Sequence, residues 1–454
     1  MRRKRWLIGC ICIGSVLVYL LGKSFPLISG YGAKVMCSAV FVAGREPSAV
    51  AREDLGHFPF SLGRFTVDRK DSSVSGSIWG LAVTKAVCRK GLGATLLNGM
   101  TEPQLRRQVP DAWLPVAPVL DTDTMDWPQG DRVVDTDLPM KVRRPELDTF
   151  MDRIFLKKGV HGTETARSSA DSNGTRAVIV VYEDRIIGER YAAGFDKGTP
   201  LAGWSMTKGV TNALLGILVR DGLLDIREPA PVAAWRNDQR HSITIADLMH
   251  MRSGLRWWEF YAIPGVCTRM LFAEKDMGDF AARSGLRHAP GEVFNYSSGT
   301  ANILSSIIRA RVAPSVYYKW PYEELFYKIG MYHAVMEPDA GGTMVGSSYC
   351  YATARDWARF GLLYLHDGTW MGHRILPGDW VRFTREGDRY GALWWLNNGR
   401  WPHVPADAFA CEGYEGQYIW VIPSRNLVVV RLALQREKLD VDKALRELLK
   451  ALPG

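Results

Sequence analysis

Two strand hairpins stand at opposite ends of a long segment patterned mainly for helices, and this constrains the fold more than any other feature. RAVIVVYEDRIIGERY, Arg176–Tyr191, reads as two strands turning at Glu183 and Asp184, and QYIWVIPSRNLVVVRLAL, Gln417–Leu434, as a second pair turning at IPSRNL. Between them run TIADLMHMRSGL, AEKDMGDFAARSGL, TANILSSIIRARV and TARDWARFGLLYLHDG, with a short strand in YGALWWLN. The economical arrangement is α+β: one mainly antiparallel sheet closed by distant segments, flanked by helices, with a helical lobe inserted.

The rest of the chain divides around this unit. Arg2, Arg3, Lys4 and Arg5 precede an apolar run, Trp6–Gly22, which ends at Lys23. This pattern predicts a transmembrane anchor over 1–23 with the N-terminus in the cytoplasm, and a single-pass inner-membrane protein whose body lies on the periplasmic side. A cleaved signal peptide is the rival reading; it exports the body equally. From about Tyr31 to Asn98 the pattern is strand-like, so 24–100 is expected to be a small membrane-proximal β-rich region. Residues 101–145, rich in Pro and Asp, read as an extended linker, and 146–454 as the catalytic domain. That domain opens on the helix LDTFMDRIFLKK, continues past the polar stretch ETARSSADSNGT, and closes on the amphipathic helix EKLDVDKALRELLKAL.

Composition excludes several functions. The chain has 454 residues, 47% of them hydrophobic, enough for a large core. Its net charge of +9 owes four charges to the N-terminal cluster, and the remaining basic pairs sit among Pro and Asp, so no nucleic-acid surface is expected. The seven cysteines and nine histidines show no metal-ligand spacing, and no nucleotide fingerprint appears. Cys37 and Cys88 are either a disulfide pair or buried thiols. Neither metal nor cofactor is expected.

The chemistry-bearing stretch is GWSMTKGVTNALLGILVRDGLL, Gly203–Leu224. Residues three apart share a helix face, so Lys208 lies beside Ser205 at the start of an apolar helix. A serine hydroxyl needs a base, and a lysine can serve only if burial or a nearby positive potential lowers its pKa. Two further stretches agree. APGEVFNYSSGTANILSS places Tyr296 in a loop directly before a helix, and CEGYEGQYIWVIP runs from glycines into a strand whose edge amides can face the nucleophile. The Gly-x-Ser-x-Gly elbow of α/β-hydrolases is absent.

The order Ser-x-x-Lys, Tyr-x-Ser, glycine-rich strand resembles the serine β-lactamase and penicillin-binding-protein superfamily, in particular its class C-like esterase branch, which includes 6-aminohexanoate-dimer hydrolases. The likeness spans about Pro145–Leu434. It extends to ERYAAGF, LMHMRSGLRWWEFY, YATARDWARFGLLYLHDG and GQYIWVIPSRNLVVVRL. The resemblance implies a β-lactamase/transpeptidase-like fold, Ser205 as acylated nucleophile, Lys208 as its activating partner and Tyr296 as general base. It also implies an oxyanion hole from the amides of Ser205 and Gln417, with Tyr414 and Gly416 in the third motif. Ser298 stands where many relatives carry Asn and implies a weaker bond to a substrate amide. Tyr414 replaces the Lys or His of relatives; a phenol brings no positive charge, which argues against an efficient β-lactamase and for a less charged ester or amide substrate.

Two functions follow. One is a membrane-anchored serine hydrolase acting on a small-molecule or peptide-like ester or amide. The other is a catalytically silent member of the same fold that binds envelope peptides or peptidoglycan fragments. Retention of Ser205, Lys208 and Tyr296 favours the enzyme.

Overall fold

The computed structural model describes residues 2–134, 139, 141–155, 174–434 and 439–453, with side chains described from Leu20 onward. Gly63–Asp68 (β1), Ser73–Ile78 (β2), Leu81–Arg89 (β3) and Gly93–Leu96 (β4) form an antiparallel sheet in the order β1-β2-β3-β4. Against it lies a single helix, Arg2–Phe41.

This helix corrects the membrane reading. Among the described residues no helix is long and apolar enough to cross a membrane, so the transmembrane anchor, the single-pass inner-membrane localisation and the membrane as a partner are set aside. The apolar run Trp6–Gly22 is at the short end of what a span needs. Its helix does not stop at Lys23 but continues for eighteen residues, Ser24–Phe41, into the protein interior. There Phe25, Ile28, Met36 and Val40 are buried, as are the polar Ser29, Lys34 and Ser38. Lys34 pairs with the buried Glu337, which also accepts from the Ser38 hydroxyl at 2.9 Å and from the Ala94 amide at 2.7 Å. The stretch Tyr31–Phe41, expected to be strand-like, is therefore helical: its apolar residues pack on both the sheet and the helix Val266–Ala273, and packing outweighs β propensity. Cys37 and Cys88 are free thiols.

The larger sheet joins the ends of the domain as the sequence requires. Thr175–Tyr182 (β5) and Arg185–Tyr191 (β6) form one hairpin. Leu201–Ala202 (β7), Val335–Met336 (β8) and Cys350–Ala352 (β9) make a small sheet in the order β7-β9-β8, and Thr369–Trp370 (β10) pairs with His373–Arg374 (β11). Trp395–Leu396 (β12), Phe409–Gly413 (β13), Gln417–Ile422 (β14) and Leu427–Ala433 (β15) complete the main sheet, β12-β13-β14-β15-β5-β6, antiparallel throughout. The distant hairpins meet where β15 pairs with β5, Val430 opposite Ile179.

Strand alternation sorts this sheet's side chains onto two apolar faces. Val178, Val180, Trp420 and Val429 join Leu147, Phe150, Met151 and Ile154 of the helix Arg144–Phe155, with Leu445 and Leu448 of the closing helix Val441–Ala451. Ile179, Val181, Ile419, Val428 and Val430 face the other way, toward Trp357 and Phe360 of the helix Ala354–Leu365. Sandwiching the sheet in this way explains why β5 reads as a continuous apolar run. The stretch ETARSSADSNGT lies, up to Asn173, outside the described residues.

Candidate active site

Ser205 sits on a tight turn, Trp204–Met206, immediately before the helix Thr207–Arg220. The turn is clamped on both sides to β9. The Gly203 amide donates to the Cys350 carbonyl at 2.8 Å, and the Cys350 amide donates to the Thr207 hydroxyl at 3.1 Å. Trp204 takes φ +47°, a left-handed conformation that costs a bulky residue free energy and persists only where its surroundings impose it. Those surroundings are aromatic: Tyr31 of the N-terminal helix stacks on Trp204 at 6.3 Å, and Tyr349 and Tyr414 meet it edge-on at 6.5 and 5.8 Å. The third motif closes in from β13. Gly413 approaches the Gly203 carbonyl so nearly that a Cβ would stand 2.2 Å from it, so only glycine fits.

Lys208, one turn along the helix, is 1% exposed. Its ammonium donates to Ser205 Oγ at 2.9 Å, to Ser298 Oγ at 3.1 Å and to the Ser347 carbonyl at 3.1 Å. Burial brings its pKa down to about 8, against the upward pull of the Glu259 carboxylate. Tyr296 completes the cluster. Its ring lies 4.8 Å from Lys208 Nζ, stacks on Trp395 at 5.3 Å and meets Tyr390 edge-on at 5.6 Å. Burial, then the charge of Glu259, push the Tyr296 phenol well above its ordinary range.

The structure thus brings Ser205, Lys208, Tyr296 and Ser298 together. Ser298 is fully buried and engaged by Lys208 and Glu259, which places it in the hydrogen-bonded cluster behind Ser205. Tyr414 is 41% exposed at the mouth, its ring 5.4 Å from that of Tyr261. Gly416 gives its carbonyl to Arg431 at 3.0 Å, and the Gln417 side chain bonds to the Ala433 backbone, so Gln417 can address the cleft through its main chain. Of the aromatic residues in the sequence blocks, Trp257 and Trp394 are core, whereas Trp258 and Tyr261 are exposed. Among the described residues no three His, Cys, Asp or Glu side chains are grouped to hold a metal ion.

Sequence reasoning missed Glu259. Its carboxylate accepts from Trp257 Nε1 at 2.6 Å, the Tyr261 hydroxyl at 2.8 Å, the Ser298 amide at 2.8 Å and the Ser298 hydroxyl. The available signal was a single acid inside the aromatic run WWEFY.

A serine on a strained turn before a helix, a lysine buried one turn further on and a tyrosine from a loop beside them, next to an antiparallel sheet, define a class, and comparison with known proteins agrees. The family model described as Beta-lactamase matches residues 164–452, well over half of the chain. The chain belongs to this family and is a serine hydrolase. A 6-aminohexanoate-dimer hydrolase from Paenarthrobacter ureafaciens is 23% identical over 290 residues, covering 57% of this chain and 72% of the relative. Among solved structures, a candidate 6-aminohexanoate-dimer hydrolase from Bacillus anthracis superposes with TM-score 0.54 at 22% identity, covering 63% of this chain and 85% of the other. EstCE1, described as a hydrolase with promiscuous acyltransferase activity, gives TM-score 0.50 at 14% identity, over 61% and 93%. At these identities the superpositions speak for the shared fold.

Proposed function

We propose that this hydrolase cleaves a neutral ester or amide through an acyl-enzyme on Ser205. The observation that carries the reading is the buried Lys208 amine, 2.9 Å from Ser205 Oγ, with a pKa close to the working range. Ser205 Oγ attacks the carbonyl carbon as its proton passes to the neutral Lys208 amine. The amides of Ser205 and Gln417 receive the oxyanion; the close packing of β13 on the nucleophile turn supports that placement. Tyr296, which holds its proton at rest, gives it to the leaving alcohol or amine and is reprotonated from Lys208. Water then attacks the acyl carbon and surrenders a proton to the same pair, and Ser205 departs with one.

Tyr414 sets the substrate's charge. A phenol forms one hydrogen bond and carries no charge at neutral pH, so a substrate carboxylate at the mouth forfeits a charge-assisted bond worth about 1.5–3 kcal/mol, roughly one to two powers of ten in kcat/KM. The relative whose name specifies a 6-aminohexanoate dimer makes amides a natural half of the test panel. Matched pairs of esters and amides, with and without a free carboxylate, are expected to show a preference for the neutral member and poor turnover of penicillins. Tyr414→Lys should narrow or reverse that preference. Wild-type preference for the carboxylate members would refute the assignment.

A further inference from the structure

The hydrogen-bond chemistry around Lys208 leaves only one direction for its lone pair. A neutral amine has two hydrogens and one lone pair, and Lys208 has three neighbours: Ser205 Oγ, Ser298 Oγ and the Ser347 carbonyl. The carbonyl can only accept. Ser298 has a single hydroxyl hydrogen, which it gives to Glu259 Oε1, so toward Lys208 it too can only accept. Both amine hydrogens are thereby committed, and the lone pair is left facing the one neighbour with a hydrogen to offer, Ser205. We propose that Glu259 is a positioning residue of this hydrolase: by holding the Ser298 hydroxyl as an acceptor toward Lys208, it aims the base's lone pair at the nucleophile. The inference rests on the acyl-enzyme reading above.

The carboxylate is uniquely suited to this place. Its Oε2 faces two groups that can never accept, the Ser298 backbone N–H and the Trp257 indole N–H. Its Oε1 faces two hydroxyls, Ser298 and Tyr261, which can turn either way. A glutamine there must put its NH2 on the hydroxyl side, since on the other side it would meet two donors. Ser298 then receives a hydrogen from the amide and can turn its own toward Lys208, where it competes with Ser205 for the lone pair. The charge matters as well. The ionisable groups that act on Lys208 are Glu259, Cys267 of the helix Val266–Ala273 and Cys411 of β13, with the Tyr296 ring stacked nearby. Tyr261 and Glu412 stand one residue further out. Burial holds both thiols and the Tyr296 phenol above their ordinary ranges, so Glu259 is the negative charge that Lys208 feels first.

Glu259→Gln is therefore expected to lower kcat by about 100-fold while KM moves by less than about threefold, since the base is misdirected and substrate contacts are untouched. The acid limb of its kcat/KM profile should also move to lower pH: losing the carboxylate makes Lys208 easier to deprotonate, and the neutral amine is the active form. A purely structural role would cost activity without that displacement. Ser298→Ala should show a comparable loss, and the double variant should be no worse than the poorer single one, because both act through one hydrogen bond. Folded Glu259→Gln with wild-type kcat, an acid limb that stays or rises, or losses that multiply in the double variant would each overturn the proposal. Should Glu259→Gln not fold, Ser298→Ala decides, and wild-type kcat in that variant overturns it. Ser205→Ala assayed in parallel separates the two levels: residual wild-type activity there refutes the acyl-enzyme itself.

Discussion

Ser205→Ala is expected to lose fluorophosphonate labelling and to lower turnover of a short-chain activated ester by on the order of 10⁴-fold or more, the scale seen when the nucleophile of an interdependent set is removed. The fold should survive, because the turn is held by bonds that do not involve the Ser205 hydroxyl: Gly203 to Cys350 on one side and Cys350 to Thr207 on the other. Tyr296→Phe should approach the same loss without adding to it in the double variant, since nucleophile and proton carrier act as a unit. A folded Ser205→Ala variant that keeps its esterase activity would mean that another residue is acylated.

The second large effect belongs to Lys208. Its pKa of about 8 comes from burial, offset in part by Glu259. The ammonium form cannot accept the Ser205 proton, so kcat/KM of the wild-type protein should rise with pH through about 8 and level off above it. Replacing Lys208 with alanine should abolish that limb and reduce kcat by on the order of 10²–10⁴-fold, the usual contribution of a positioned base. A wild-type profile that is flat from pH 6 to 9 would contradict the assigned role of the amine, because groups with pKa values in this window leave an inflection there.

The meeting of the distant hairpins and the nearness of Lys208 to Ser205 were legible in the sequence because both are written as spacing. Strand hairpins at Arg176 and Gln417 had to share a sheet, and a three-residue interval puts Lys208 beside Ser205 wherever the helix starts. What failed was information carried by packing. The run Trp6–Gly22 has the composition of a membrane segment, but hydropathy says nothing of where a helix goes next; here it runs past Lys23 into a site where Lys34 meets Glu337. Glu259 was invisible for the opposite reason. One acid among aromatic residues normally belongs to a solvated face, and only the fold closes WWEFY over Ser298 to make it an internal acceptor. The left-handed conformation of Trp204 was equally hidden, since no local residue type calls for it.

Trapping the acyl-enzyme shows directly whether Ser205 is the residue that is acylated. The purified protein would be incubated with an activated ester, quenched in acid, digested with trypsin and mapped by mass spectrometry. One acyl adduct is expected, in the peptide Gly198–Lys208, with fragment ions that place it on Ser205 rather than on Thr199 or Thr207. An adduct on any other residue, or turnover with no adduct on a time scale where a burst of product is released, would contradict it.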